Sequence, residues 1–199
     1  MHPLPFSREP YALLFWTVFA FWIFMEANAS RSKRAGKNTK ASARDRGSLW
    51  LIVILFWIGL SLSFSLCYLL PKAAIHGNRR MLFFVGISLM LAGIAFRWHA
   101  MSVLGKFFTV DVAVHSDHAL VQSGPYRYIR HPSYTGAIIT QAGFGLALGN
   151  WAAFFALLLF MGIAYAYRMS IEEAALATAL GAPYQEYKRR TSRLIPFVF

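Results

Sequence analysis

Three short stretches hold most of the side chains able to do chemistry: His118-Ala119-Leu120-Val121, the run from Tyr126 to Arg130-His131-Pro132-Ser133-Tyr134, and Arg168 with Glu172 and Glu173. Tyrosine rings present π faces to a cation, a carboxylate complements an ammonium group, and arginine offers a two-pronged fork to a carboxylate. Arg168 and Glu172 are four residues apart, so on a helix they share one face. An isolated pair of that kind is worth only about 0.5 kcal/mol. Its setting changes the reading, because the pair and Arg130-His131 both stand where long apolar runs end or begin, and charges held at that depth tend to carry function.

Other chemistries lack their signatures. There is no GxGxxG, P-loop, GxSxG or paired-carboxylate pattern, so a Rossmann-type cofactor, ATP hydrolysis and serine hydrolysis are without support. His99, His115, His118 and His131 show no HxxxH or HExxH spacing and no cysteine company, so no metal site is expected. The lone Cys67 lies inside an apolar run and is read as packing.

The elements that must position these residues are membrane helices. Of 199 residues 57% are apolar and only 14% charged, below the quarter usual for a soluble domain. Crossing about 30 Å of hydrocarbon takes about 20 helical residues. Leu49 to Leu70 meets that length, Tyr11 to Met25 does so when extended to Ala29, and Met81 to Phe96 when extended to Leu104. These extensions put Glu26, Arg97 and His99 at the interface. Tyr134 to Tyr167 carries no charge and reads as a helical hairpin of two short arms turning at Gly149-Asn150. Gly145 and Gly149, four apart, provide a small-residue spacing for close helix approach. The reading is an all-α integral membrane protein with about five spans. Residues 1–104 hold three of them and a basic loop at 30–47; residues 105–199 hold the chemistry, the hairpin 134–167 and a C-terminal amphipathic helix. Between Phe107 and Val114 the alternation predicts a short extended segment.

A net charge of +12 raises the question of nucleic acid, but seven of the twenty basic residues fall between Arg31 and Arg46, directly after a span. The positive-inside rule accounts for them, with membrane lipids and not nucleic acid as the partner. It puts the N-terminus and Lys72, Arg79 and Arg80 outside, and Lys106, Arg127, Arg130 and the tail from Arg168 in the cytoplasm. Ala27-Asn28-Ala29 imitates a signal-peptide cleavage site, but the basic cluster follows the apolar run, so cleavage is not expected. Tyr184, Tyr187 and Lys188-Arg189-Arg190 read as an amphipathic tail lying on the membrane.

These residues resemble the isoprenylcysteine carboxyl methyltransferase family of integral membrane enzymes, within a group that includes phospholipid methyltransferases. The match is ordered: His118 to Val121, Ser123-Gly124, Tyr126, Arg130 to Tyr134, Arg168, Glu172-Glu173, Gly181, Tyr184-Gln185-Glu186-Tyr187 and Arg193-Leu194-Ile195-Pro196. The resemblance implies S-adenosylmethionine held by His118, Ala119, Leu120, Val121, Tyr126, His131, Pro132, Ser133, Tyr134 and Glu172. It also implies catalytic roles for Arg168, Glu172 and Arg130, with Arg168 on the substrate carboxylate. The expected acceptor is lipid-like or prenylated and reaches the site from the bilayer. Three alternatives stand beside this one: N-methylation of a phospholipid or other amine, an NADPH-dependent sterol or enone reductase, and a non-enzymatic scaffold. The reductases carry a similar Arg-His motif, but they typically place Asn and an acidic residue where Ser133 and Ala137 stand here.

Overall fold

The computed structural model describes residues 3–6, 9–32, 47–105 and 120–196. They form six helices: α1 (Tyr11–Ser32), α2 (Ser48–Leu69), α3 (Arg79–Leu104), α4 (Pro132–Leu148), α5 (Trp151–Leu180) and α6 (Ala182–Arg190). No strand occurs among the described residues; two isolated bridges join Ala74 to Asn150 and Ile129 to Ser192. The expected extended segment at 107–114 lies outside the described residues.

Helices dominate because in lipid every backbone N–H and C=O must be satisfied within its own segment. Four of them, α1, α2, α3 and α5, are long and apolar enough to cross a membrane. The hairpin is real but its arms are unequal. α4 has 17 residues, about 25 Å at 1.5 Å per residue, whereas α5 has 30 and continues past Tyr167 through Arg168 to Leu180. The turn is where the sequence puts it. Gly149 has φ 67°, a left-handed conformation that glycine adopts without Cβ strain, and Asn150 caps α5 by accepting from Ala153 N at 3.1 Å. Asn150 Nδ2 also donates to Leu70 O at 3.0 Å, pinning the turn to the end of α2.

Lipid offers no hydrophobic drive for helix association, so close packing must supply it. α3 and α4 meet along glycines spaced seven apart, Gly86 and Gly93 on one helix and Gly136 and Gly143 on the other. A Cβ on Gly93 would lie 2.5 Å from Thr140 N, and one on Gly136 would lie 2.7 Å from Arg97 N, so only glycine permits this crossing. The small-residue pairing expected of Gly145 and Gly149 is therefore corrected. Gly145 packs on Phe154 Cα, but Gly149 is spent on the turn, and nothing lies within 4 Å of the Cβ it lacks. α1 joins through aromatic rings: Phe15, Phe19 and Trp22 gather around Phe144 of α4 with Phe64 of α2. Cys67 is buried in the same core.

Candidate functional site

The hairpin's antiparallel course brings the start of α4 and the charged part of α5 together at one end of the bundle. Tyr134, in the first turn of α4, donates its hydroxyl to Glu172 Oε1 at 2.7 Å. Arg168 Nε donates to the same oxygen at 2.9 Å, the helical pairing expected from their spacing. His131, the residue just before α4, places Nδ1 3.5 Å from Glu172 Oε2 and Nε2 3.3 Å from Glu173 Oε1. Glu172 is thus the meeting point of a phenol, a guanidinium and an imidazole, while its side chain stays 23% exposed. Arg168 is only 2% exposed, and its Nη1 reaches across to Ser48 Oγ at 2.7 Å, at the start of α2.

A second carboxylate organises the ground beneath. Glu173 is 5% exposed and ringed by cations: Arg130 Nε at 3.2 Å, Arg193 Nε and Nη2 at 3.0 and 2.9 Å, and Lys188 Nζ at 3.3 Å. Arg130 also donates to the carbonyls of Lys188 and Thr191. The chain before α4 is strapped to the C-terminal segment by Arg130 N to Ser192 O at 2.8 Å, His131 N to Arg193 O at 3.1 Å and Ser192 N to Tyr128 O at 3.0 Å. Arg130 therefore braces the site from its far side; its guanidinium is directed at Glu173 and the backbone, away from Glu172.

Burial alone would lower the pKa of His131, but hydrogen bonds to Glu172 and Glu173 and their charges outweigh it, so its pKa is raised. The site thus favours an imidazolium bridging two carboxylates. Burial, reinforced by Tyr187 and Glu172, raises the pKa of Tyr126 and keeps it a neutral phenol.

The expected residues divide clearly. His131, Tyr134, Arg168 and Glu172 converge; Tyr126 is buried next to them under Tyr187, whose hydroxyl donates to Tyr126 O at 2.8 Å. Ser133 is buried and held by Arg97, Pro132 opens α4 at its first position, and Leu120 and Val121 are half-buried. His118 and Ala119 lie outside the described residues. The tail does form a helix, but its tyrosines are not on an exposed face. On α6, Tyr184 and Tyr187 turn inward and are buried, because Tyr187 is tied to the 126 carbonyl and Lys188 to Glu173. Tyr184 Oη ends there with no hydrogen-bond partner.

Sequence reading named Glu173, Lys188 and Arg193 but gave them no role in the site, and it missed Ser48 and the Glu26–Arg97 pair. Arg97 Nε lies 2.8 Å from Glu26 Oε1 and Nη2 donates to Glu26 Oε2 at 2.9 Å. A signal for that pair existed: two opposite charges at the ends of apolar runs are expected to find each other.

Comparison with known proteins agrees with this geometry. Residues 85–178 match the isoprenylcysteine carboxyl methyltransferase family. The chain is 35% identical over 104 residues to the protein-S-isoprenylcysteine O-methyltransferase of Schizosaccharomyces pombe, covering 51% of this chain and 44% of that protein. It is 28% identical over 144 residues to a probable protein-S-isoprenylcysteine O-methyltransferase of Oryza sativa subsp. indica, covering 70% and 75%. The chain thus spans under half the length of the fission yeast relative. Its fold is similar to that of the eukaryotic intramembrane Ras methyltransferase ICMT, with a TM-score of 0.66 and 24% identity over 98% of this chain and 70% of that one. The segment that matches the isoprenylcysteine carboxyl methyltransferase family runs from α3 nearly to the end of α5 and contains the crossing, the hairpin and the Arg168–Glu172 pair.

Proposed function

We propose that the chain is an S-adenosylmethionine-dependent methyltransferase that esterifies a carboxylate on an isoprenoid or similar lipid-like acceptor, at the cytoplasmic face of a membrane. The observation that carries this reading is the Tyr134–Glu172–Arg168 constellation with His131, held at the end of a membrane bundle. The names of the relatives support it, and the basic loop supports the orientation.

The donor set fits a cationic, zwitterionic cofactor. Glu172 offers a partly exposed carboxylate to an ammonium group, Tyr126 and Tyr134 supply neutral rings, and Tyr184 Oη is a buried donor awaiting an acceptor. Leu120 and Val121, both half-buried, would extend the cofactor wall. Bound S-adenosylmethionine supplies a methyl group made electrophilic by a sulfonium. The task left to the protein is alignment and exclusion of water. Arg168, held by Glu172 and Ser48, is the cation that faces the acceptor carboxylate in this reading. A carboxylate gives up no proton on methylation, so no general base is required, and none is placed here. N-methylation of an amine would need one.

Calorimetric titration of the detergent-purified protein with S-adenosylhomocysteine, and separately with NADPH, tests the class. Binding of the adenosyl ligand alone is expected. Labelled-methyl transfer to a farnesylated cysteine, compared with phosphatidylethanolamine, then tests the acceptor. Arg168→Ala should cut turnover more than adenosyl-ligand affinity, whereas Glu172→Ala and Tyr134→Ala should lose affinity directly. Binding of NADPH alone, or equal loss of affinity in all three variants, contradicts the assignment.

A further inference from the structure

The Glu26–Arg97 pair joins α1, which lies outside the family-matched segment, to α3 inside it. Partnering by Glu26 would be enough to neutralise a guanidinium in a membrane helix. The geometry does more. Glu26 occupies the Nε and Nη2 side of the fork, and the remaining nitrogen, Nη1, is turned onto Ser133, donating to Oγ at 2.8 Å and to the carbonyl at 3.1 Å.

Ser133 lies in sequence between His131 and Tyr134, two of the three residues that touch Glu172. The start of α4 needs such a hold. Its N-cap residue His131 makes no side-chain capping bond, and Pro132 at the first position contributes no N–H. One turn further on, Gly136 packs against the Arg97 backbone, so the same residue sets how near α4 comes and, through its side chain, how its first turn is held. Arg97 is in turn oriented by an acidic residue of α1.

We propose that Glu26 and Arg97 are positioning residues: through Ser133 they hold the first turn of α4 in the geometry that binds the adenosyl ligand, so that α1 governs cofactor affinity without touching the cofactor. The inference rests on the methyltransferase reading above and adds a role for the N-terminal helix.

The test is calorimetric affinity for S-adenosylhomocysteine on the full-length, detergent-purified chain, alongside kcat and the KM for a farnesylated cysteine. Glu26→Gln and Arg97→Gln should each weaken S-adenosylhomocysteine about tenfold, the loss of roughly one charge-assisted hydrogen bond, with the acceptor KM unchanged. Glu26→Asp, which keeps the charge, should retain most of the affinity. The exchanged double variant, Glu26→Arg with Arg97→Glu, restores the ion pair but takes the guanidinium away from Ser133. It should fold and still bind S-adenosylhomocysteine weakly, and it decides the matter if the single variants fail to fold. Wild-type affinity in both single variants, or in the exchanged one, overturns the inference while leaving the methyltransferase reading intact. A wild-type protein that binds no adenosyl ligand overturns both.

Discussion

Glu173→Gln is the perturbation whose cost the structure specifies most sharply. The substitution keeps the shape of the side chain and deletes the one negative charge to which Arg130, His131, Arg193 and Lys188 all point. Two of those partners, Arg130 and His131, have side chains 10% and 6% exposed, so they cannot recover hydration. Removing one member of a buried ionic group costs about 3–5 kcal/mol, mostly the penalty of leaving the other charge uncompensated. At about 2–4 °C per kcal/mol for a chain of this size, the thermal midpoint should fall by roughly 6–20 °C. Lys188→Ala is the internal control: its side chain is 46% exposed, so its contact with Glu173 is worth under about 1 kcal/mol and the midpoint should move by less than about 4 °C. The protein carries its own reporter, since Cys67 is its single cysteine and is buried in the core. A thiol-reactive fluorophore in detergent therefore follows unfolding. A Glu173→Gln midpoint no lower than that of Lys188→Ala would refute the reading of Glu173 as the buried hub of the site.

Because the pKa of His131 is raised above its ordinary 6.5, its contribution is fully present below that pH and is lost as the pH climbs through the raised value. The thermal midpoint should thus decline on the alkaline side of 6.5, and His131→Gln should flatten that dependence; an unchanged profile in the variant would assign it elsewhere. Gly93→Ala puts a Cβ 2.5 Å from Thr140 N, which is backbone and cannot swing aside, so α3 and α4 must separate. A loss of about 1–3 kcal/mol is expected, readable in the same fluorophore assay, and Gly162→Ala, where nothing lies within 4 Å, should cost far less.

The sequence by itself determined the class of fold and the places of its long helices and of the hairpin turn. Lipid thickness and the demand for internal backbone hydrogen bonds turn any sufficiently long apolar run into a helix, so Leu49 to Leu70 appears as Ser48–Leu69, and Gly149-Asn150 appears as the hairpin turn. Local spacing also determined the Arg168–Glu172 pair, because four residues on a helix fix a shared face whatever surrounds it. Order along the chain then suggested that His131 and Tyr134 would meet that pair, and the hairpin delivers them.

Tertiary structure alone decided the rest. Ser48 lies 120 positions from Arg168 and Glu26 lies 71 from Arg97, distances across which no periodicity speaks. Glu172 and Glu173 are neighbours in sequence, yet one looks to Arg168 and Tyr134 and the other to the cations of the C-terminal segment, a division that depends on which helices pack on either side. Which glycines serve packing and which serve the turn was likewise undecided, as was whether the tyrosines of α6 face lipid or protein. In a membrane helix lipid-facing and protein-facing surfaces are both apolar, so the contrast that marks the buried side of a soluble helix is weak, and only the assembled bundle shows which side is inside.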